Sequence, residues 1–200
     1  MRKAYLAILG LGSLLLSLNT YAAEPDSALA IFAGGCFWCT EADFDKLPGV
    51  LETTSGYIGG SIENPTYEEV SSGRSGHVEA VQVRYDPQQI SYAKLLEAFW
   101  PTIDPVNGNG QFCDTGPQYR SEIFYLDAEQ QRLAEASKAA LMASGRLAQP
   151  IATQIVAATT FYPAEDYHQN YHINNPPRYT YYRHGCGRDQ RLQQLWGTTK

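Results

Sequence analysis

The chain has 200 residues, with 15 basic and 21 acidic side chains, and its net charge is −6. An acidic chain of this kind is a poor match to nucleic acid or to an anionic membrane. It is long enough to bury the core of one domain of ordinary size, and it contains neither an internal repeat nor a low-complexity run.

The first 22 residues are predicted to be a secretory signal peptide. Two basic residues precede an apolar run at 5–18, which is too short for a typical membrane span. Thr20 and Ala22 then occupy the −3 and −1 positions of a cleavage site. We expect cleavage after Ala22, export to the periplasm, and one domain at 23–200; an uncleaved N-terminal anchor is the alternative. That domain keeps 13 of the 15 basic residues against 21 acidic ones, so its net charge is −8.

The first half of the domain is predicted to form three strands and two helices. A buried strand at 28–35 leads through a glycine turn into a helix at 36–47. Further strands are predicted at 50–60 and 77–86, with a glycine-rich loop between them. A helix then follows Ser91, which suits the N-cap position.

The second half continues the alternation of strands and helices. We predict a strand at 121–126, a helix from an Asp127 N-cap to about Ser144, and a strand at 151–164. The rest of the chain is predicted to be loop with short helices. This succession predicts an α+β fold, a sandwich in which helices pack on an antiparallel or mixed sheet.

Cys36 and Cys39 form a CxxC motif at the start of the first predicted helix. The unpaired N–H groups and the dipole of a helix N-terminus favour a thiolate, so Cys36 is placed to act as a nucleophile. Cys39 lies one turn further on, near the same face, and a bond between the two sulfurs depends on the geometry. Two buried structural cysteines are the alternative interpretation.

Glu79 has an unusual position within the predicted strand at 77–86. It shares one side of the strand with Val81 and Val83. Burial would raise its pKa and keep it protonated, whereas a place at the sheet edge would leave it exposed. Tyr67, in the glycine-rich loop, and Tyr119, in a long polar loop at 101–120, are candidate hydrogen-bond donors to a ligand.

No metal is expected. The four cysteines do not form a typical Cys₄ zinc site, because Cys113 and Cys186 do not make a second CxxC. His168 and His172 have the helical spacing of a metal-binding face, with Glu165 nearby, but packing histidines explain the pattern better.

Five segments resemble A-type peptide-methionine sulfoxide reductases (MsrA), and the resemblance covers the whole domain. In chain order they are "GGCFWCTEADFDKLPGV", "SGYIGG", "NPTYEEVSSGRSGHVEAVQVRYDP", "CDTGPQYRSEIF" and "EDYHQNY". The resemblance implies a two-layer, ferredoxin-like α+β sandwich. It also implies an enzyme that reduces the S epimer of methionine sulfoxide, free or in proteins, as part of the repair of oxidised proteins.

The resemblance implies a role for each residue of the site. Cys36 is the nucleophile that becomes a sulfenic acid, Phe37 and Trp38 seat the S-methyl group, and Asp114 orients the substrate. The groups that hold or protonate the sulfoxide oxygen are Glu79, Tyr67 and Tyr119. No cofactor is implied, because an external dithiol such as a thioredoxin-like protein restores the enzyme. A monomer is expected.

The resolving thiol is the point at which this chain departs from the common family pattern. Cys39 stands where many members have Gly, and Cys113 where Asn is frequent. The tail has a single cysteine, Cys186, flanked by glycines. We predict that Cys186 resolves the sulfenic acid, with Cys39 and then Cys113 as alternatives.

Two other functions fit parts of the sequence. A thioredoxin-like thiol–disulfide oxidoreductase would use the CxxC motif and would not need Glu79. An exported, cysteine-stabilised binding module would consume no thiol in the presence of methionine sulfoxide. Neither accounts for all five segments.

Overall fold

The structure, a computed structural model, describes residues 27–197. The predicted signal peptide, residues 1–22, lies outside the described residues. Within residues 27–197, no helix combines the length and the apolar character that crossing a membrane requires.

A six-stranded mixed sheet forms the centre of the fold. Its strands, with the two short strands of a separate hairpin, are β1 (Ala28–Gly34), β2 (Val50–Ile58), β3 (Val78–Tyr85), β4 (Gly110–Gln111), β5 (Asp114–Thr115), β6 (Ser121–Tyr125), β7 (Gln154–Ala157) and β8 (Tyr162–Pro163). The order across the sheet is β7-β6-β1-β3-β2-β8, and β4 pairs with β5. Neighbours in the sheet are antiparallel except β6 and β7, which are parallel.

Seven α-helices accompany the sheet in the described part of the chain. They are α1 (Phe37–Phe44), α2 (Tyr67–Ser71), α3 (Tyr92–Phe99), α4 (Ala128–Ala143), α5 (Tyr171–Asn174), α6 (Pro176–Gly185) and α7 (Arg188–Trp196). Two predicted N-caps are confirmed. The Ser91 side chain accepts a hydrogen bond from the N–H of Lys94, and the Asp127 side chain accepts one from Gln130.

The chain order confirms the ferredoxin-like arrangement. β1, α1, β2, β3, α3 and β6 follow one another as a βαββαβ unit, and their strands lie in the order β6-β1-β3-β2. β7 and β8 extend this unit at its two edges. The predicted α+β class is therefore confirmed.

The main core lies between the sheet and the helices. Alternate residues of β1, such as Phe32, face this core with Val81 and Val83 of β3, against Leu96 and Phe99 of α3. The intervening residues of β1 face a smaller cluster on the opposite side of the sheet. Both faces of the central strands are thus shielded from solvent. A polar side chain that points from β3 toward α1 is therefore buried.

The predicted strand at 151–164 is two strands at opposite edges of the sheet. β7 pairs with β6, and β8 pairs with β2. The connection between them crosses the second face, where Ala158 and Phe161 pack against the smaller cluster. The chain leaves the sheet between β7 and β8 in order to cover that face. The alternation of residues within 151–164 does not show such a break.

Two helices escaped the sequence prediction. α2 begins with a capping box. The Thr66 side chain accepts a hydrogen bond from the backbone N–H of Glu69, and the Glu69 carboxylate accepts one from the backbone N–H of Thr66. α6 begins at Pro176, a residue favoured in the first turn of a helix.

Glu41 lies on α1 in a dry position, next to the start of α5. Neither of its carboxyl oxygens has a hydrogen-bond partner of good geometry among the described residues, and the side chain is fully buried. Burial raises the pKa of Glu41 to about 7, although the nearby N–H groups of Asn170 and Tyr171 oppose the shift. Protonated Glu41 is therefore part of the folded structure at low pH.

We predict that Glu41 makes the protein less stable as the pH rises toward neutrality. A folded-state pKa above the unfolded value stabilises the fold below about pH 4.5, and this contribution is lost as the pH rises through 7. The free energy of unfolding of the Glu41→Gln variant should escape this loss, which is at most about 3 kcal/mol.

Denaturant unfolding at pH 5 and pH 8 measures the effect. Glu68→Gln, at an exposed carboxyl of α2, is the matched control and should follow the wild type. Equal pH dependence of the wild type and Glu41→Gln would contradict the assignment.

Candidate active site

Cys36 stands at the junction of β1 and α1, as the N-cap residue of the helix. Gly35 makes the turn with a φ of +85°, and a Cβ atom there would lie 2.5 Å from the Cβ of Gln111. Only glycine fits this position without a shift of the neighbouring loop. The turn delivers Cys36 to the end of the sheet, where its side chain is 6% exposed.

Glu79 lies on the neighbouring strand β3 and points toward the start of α1. One carboxyl oxygen, Oε2, accepts a hydrogen bond of 3.0 Å from the backbone N–H of Phe37. Burial raises the pKa of Glu79 to about 8 despite that bond, and the charges of Asp114 and Cys39 add to the shift. The interpretation of Glu79 as a buried, protonated acid agrees with this geometry.

The two cysteines of the CxxC motif are unequal. Burial, a hydrogen bond with Cys39 and the charge of Glu79 raise the pKa of Cys36 well above its ordinary value. The hydrogen bond from Cys36 lowers the pKa of Cys39 to about 7, and Arg188 and Arg183 contribute to the lowering. The helix N-terminus favours an ionised Cys36, but the first N–H of α1 bonds to Glu79, and burial of the sulfur opposes the thiolate.

Four rings beside the two thiols form what is here called the aromatic wall: Phe37, Trp38, His168 and Tyr171. The indole N–H donates to Nδ1 of His168 at 3.0 Å, and the ring stacks on Tyr171 with 3.7 Å between centroids. Phe37 is almost fully buried and packs against His168, with 4.8 Å between centroids. Both aromatic residues of the motif are thus held by the short helical segment around α5.

The histidine pair is divided between two environments. His168 is buried in the aromatic wall, whereas Nε2 of His172 lies 3.4 Å from a carboxylate oxygen of Asp45. Burial lowers the pKa of His168 and of His172, so both favour the neutral form. This arrangement agrees with packing histidines.

Three tyrosines and one carboxyl group surround the mouth of the site. Burial raises the pKa of Tyr67 to about 12 and raises that of Tyr119 further, so both stay protonated. The hydroxyl of Tyr182 donates to Oδ2 of Asp114. Burial raises the pKa of Asp114, and this hydrogen bond and Arg188 oppose the shift.

All the residues predicted to carry the chemistry and to bind the substrate line one cavity of about 70 Å³. Its lining residues are Cys36, Phe37, Trp38, Tyr67, Glu79, Asp114, Tyr119 and Tyr182. The space holds a few heavy atoms, since a water molecule in the liquid occupies about 30 Å³. The geometry brings the candidate residues together, and their individual roles stay predictions.

Cys186, the predicted resolving thiol, forms a disulfide with Cys113. Cys36 and Cys39 are both free and buried. The disulfide joins the β4–β5 hairpin to the junction of α6 and α7, and Sγ of Cys186 lies 3.9 Å from Oδ2 of Asp114. Cys186 therefore reaches the edge of the cavity, but its sulfur is bonded to Cys113.

Sequence reasoning missed two residues of the site, Tyr182 and Arg188. The Arg188 guanidinium is buried and donates to the backbone carbonyls of Gly34 and Thr102. Tyr182 is four residues before Cys186. A helix predicted from the prolines at the start of α6 would therefore have placed Tyr182 and Cys186 on the same helix face. Nothing in the sequence marks Arg188, whose position depends on the docking of α7.

Known proteins of similar sequence belong to one enzyme family. The sequence matches the family "Peptide methionine sulfoxide reductase" over residues 28–200. It is 56% identical to the peptide methionine sulfoxide reductase MsrA of Bacillus licheniformis over 169 residues, which are 84% of this chain and 93% of that protein. It is 51% identical to MsrA of Bacillus subtilis, over 84% of this chain and 96% of that protein.

Solved structures agree with the sequence relatives. The methionine sulfoxide reductase A of Corynebacterium diphtheriae superimposes with a TM-score of 0.69 at 36% identity, covering 77% of each chain. With this fold, cavity and sequence match, the chain belongs to the peptide methionine sulfoxide reductase family as an A-type member, an oxidoreductase that reduces methionine sulfoxide at the expense of thiols.

Proposed function

We propose that the chain reduces the S epimer of methionine sulfoxide, free or in proteins, with Cys36 as the attacking sulfur. The observation that carries the proposal is the shared cavity of Cys36 and Glu79, in which the acid is buried and bonded to Phe37 N–H. A sulfoxide presents an electrophilic sulfur and a basic oxygen. A nucleophile and a protonated acid are the two groups that its reduction requires.

The sulfoxide oxygen is stabilised by neutral donors. As Cys36 attacks the sulfur, negative charge grows on the oxygen, and Glu79 transfers its proton there. The hydroxyls of Tyr67 and Tyr119 line the same cavity and can donate further hydrogen bonds. Fixed donors in a dry site stabilise such charge more strongly than water does.

Cys39 supplies the base that the first step needs. Its neighbour Cys36 and the charges of Arg188 and Arg183 lower the pKa of Cys39 to about 7, so Cys39 is the more readily ionised thiol of the pair. In the first step the Cys36 proton passes to Cys39, and the Glu79 proton passes to the oxygen. The S–O bond of the substrate and the new bond between the two sulfurs break as the hydroxyl passes to the Cys36 sulfur. Methionine leaves, Cys36 carries the S–OH group of a sulfenic acid, and Glu79 is left as a carboxylate.

Cys39 then resolves the sulfenic acid. Its thiol attacks the Cys36 sulfur, a disulfide forms, and the S–OH oxygen leaves as water. Cys39 is favoured over the predicted Cys186 because it is a free, buried thiol one helical turn from Cys36, whereas Cys186 is bonded to Cys113.

Substrate recognition rests on the aromatic residues and Asp114. Trp38 is the more exposed of the two aromatic residues of the motif, so its face is the better seat for the S-methyl group. Asp114, held by Tyr182, is placed to orient the polar backbone of the substrate.

An external dithiol must return the enzyme to its reduced state. Exchange through a mixed disulfide with a thioredoxin-like protein supplies two electrons and two protons. The signal-like pattern of residues 2–22 supports export to the periplasm, where such a reductant must be present. We propose that the enzyme works there as a monomer.

We predict a bell-shaped pH profile of kcat/KM for wild type. The rate should rise as Cys39 ionises near pH 7 and fall as Glu79 loses its proton near pH 8. Glu79→Gln should lower kcat/KM by about 100-fold or more and remove the alkaline limb.

Initial rates on each epimer with excess dithiothreitol, from pH 5.5 to 9.5, give both results. Glu52→Gln, at an exposed carboxyl on β2, is the control for loss of charge alone. Consumption of the R epimer alone, or an unchanged alkaline limb in Glu79→Gln, would refute the proposal.

We predict that one turnover without reductant oxidises only the buried pair. Protein with the Cys113–Cys186 disulfide intact should consume both of its free thiols and release one equivalent of methionine. Peptide mapping under acidic, non-reducing conditions should find a Cys36–Cys39 bond. A Cys36–Cys186 bond with Cys113 set free would restore the ranking expected from the sequence.

We predict that the low pKa of Cys39 depends on the thiol donor at position 36. Cys36→Ala removes the donor and should raise the pKa of Cys39, whereas Cys36→Ser keeps a hydroxyl donor and should raise it less. The pH dependence of Cys39 alkylation, followed by mass spectrometry, measures both. Equal values in the two variants would exclude the hydrogen bond as the main cause.

A further inference from the structure

A second cluster, of two sulfur atoms and a carboxyl group, lies at the rim of the cavity, and its two sulfurs have no part in the proposed reaction. It consists of Cys113, Asp114 and Cys186, here called the rim cluster. Its possible ligand atoms all lie within 4.8 Å of one another. Cys113 is exposed and Cys186 partly exposed, so solvent and reductants reach them, unlike the buried Cys36 pair.

We propose that the rim cluster, when its disulfide is reduced, binds one zinc-type divalent cation. An external dithiol breaks the S–S bond, supplying two electrons and two protons and becoming a disulfide itself. The cation then displaces the two thiol protons. Two thiolates and one carboxylate oxygen become its ligands, and a water oxygen takes the fourth, open position.

The spacing of the three groups fits one tetrahedral ion. With Zn–S bonds of about 2.3 Å, two thiolate ligands lie about 3.8 Å apart. The Cα atoms of Cys113 and Cys186 are 4.9 Å apart, so small side-chain rotations reach that separation. Oδ1 of Asp114 is already 3.8 Å from Sγ of Cys113, close to the spacing of two ligands on one ion.

The backbone around the cluster holds the ligands in place without the disulfide. Cys113 and Asp114 belong to the β4–β5 hairpin, where Gln111 pairs with Asp114. Cys186 caps the C-terminal end of α6. Because both elements are hydrogen-bonded locally, reduction should leave the three groups within reach of one ion.

The local electrostatics favour anionic ligands. The backbone N–H of Cys113 donates to Sγ of Cys186 at 3.2 Å, a bond that would stabilise a thiolate there. Three anionic ligands exceed the two charges of the cation by one, and a positive charge lies close by, because the guanidinium carbon of Arg188 is 4.4 Å from the centre of the Phe112 ring, next to Cys113. Thiolate ligands select zinc-like ions over magnesium or calcium.

The bound cation would hold the carboxyl that is proposed to orient the substrate. Asp114 has two oxygens, so Oδ1 can ligate while Oδ2 keeps its hydrogen bond from Tyr182. Metal binding itself requires none of the catalytic roles proposed above. Its failure and the failure of the proposed reductase mechanism are therefore separate results.

A metal titration of the full chain tests the inference. The protein is reduced with a phosphine, desalted under argon, and titrated with Co²⁺ and then with Zn²⁺. We expect one equivalent of Co²⁺ with the charge-transfer absorption of thiolate ligands, displaced by Zn²⁺. The same protein with the disulfide intact should bind at least 100-fold more weakly, a control that needs no substitution.

Matched variants locate the ion. Cys113→Ser and Cys186→Ser should each weaken binding at least 100-fold, and Asp114→Asn about 10-fold, whereas Cys39→Ser should bind as wild type does. Circular dichroism confirms that each variant is folded. Equal binding by reduced and oxidised protein would overturn the inference. So would loss of binding in Cys39→Ser with retention in Cys113→Ser, which would place the ion on the buried pair.

Discussion

The hydrogen bond from the backbone N–H of Phe37 to the carboxyl of Glu79 is the contact on which the site depends. It joins two residues that are 42 positions apart, the first residue of α1 and a strand in the middle of the sheet. It orients the acid toward Cys36, the residue just before the helix. Because this N–H serves the carboxyl, it is not available to stabilise a thiolate at Cys36.

Burial determines the protonation states of the titratable side chains in the site. A buried carboxyl without a cation beside it keeps its proton, and so do phenols and a thiol in the same place. Cys39 is the exception, because its neighbour Cys36 and the charges of two arginines lower its pKa. The proposed thiolate among several neutral donors suits a sulfoxide, which is basic at oxygen and electrophilic at sulfur.

The C-terminal third of the chain completes a site that the N-terminal third begins. Tyr171 stacks on Trp38, Tyr182 holds Asp114, and the Arg188 guanidinium bonds to the last residue of β1. The disulfide at Cys186 ties this region to the β4–β5 hairpin. The rim of the cavity is therefore assembled from parts of the chain that are linked by a redox-sensitive bond.

The amino-acid sequence by itself determined the βαββαβ order, two helix caps and most of the cavity lining. The order of the elements and the caps follow from local periodicity and capping residues, whereas most of the cavity lining was implied by the resemblance of five segments to the MsrA family. The alternating pattern around Glu79 allows two interpretations, burial or exposure at the sheet edge. Alternation shows which residues share a face but not what covers that face. Only tertiary structure decided it, by packing α1 on β3. Tertiary structure also decided that Cys186 pairs with Cys113 and that Arg188 lies under the site, since disulfide partners and buried charges depend on distances between segments that no local pattern encodes.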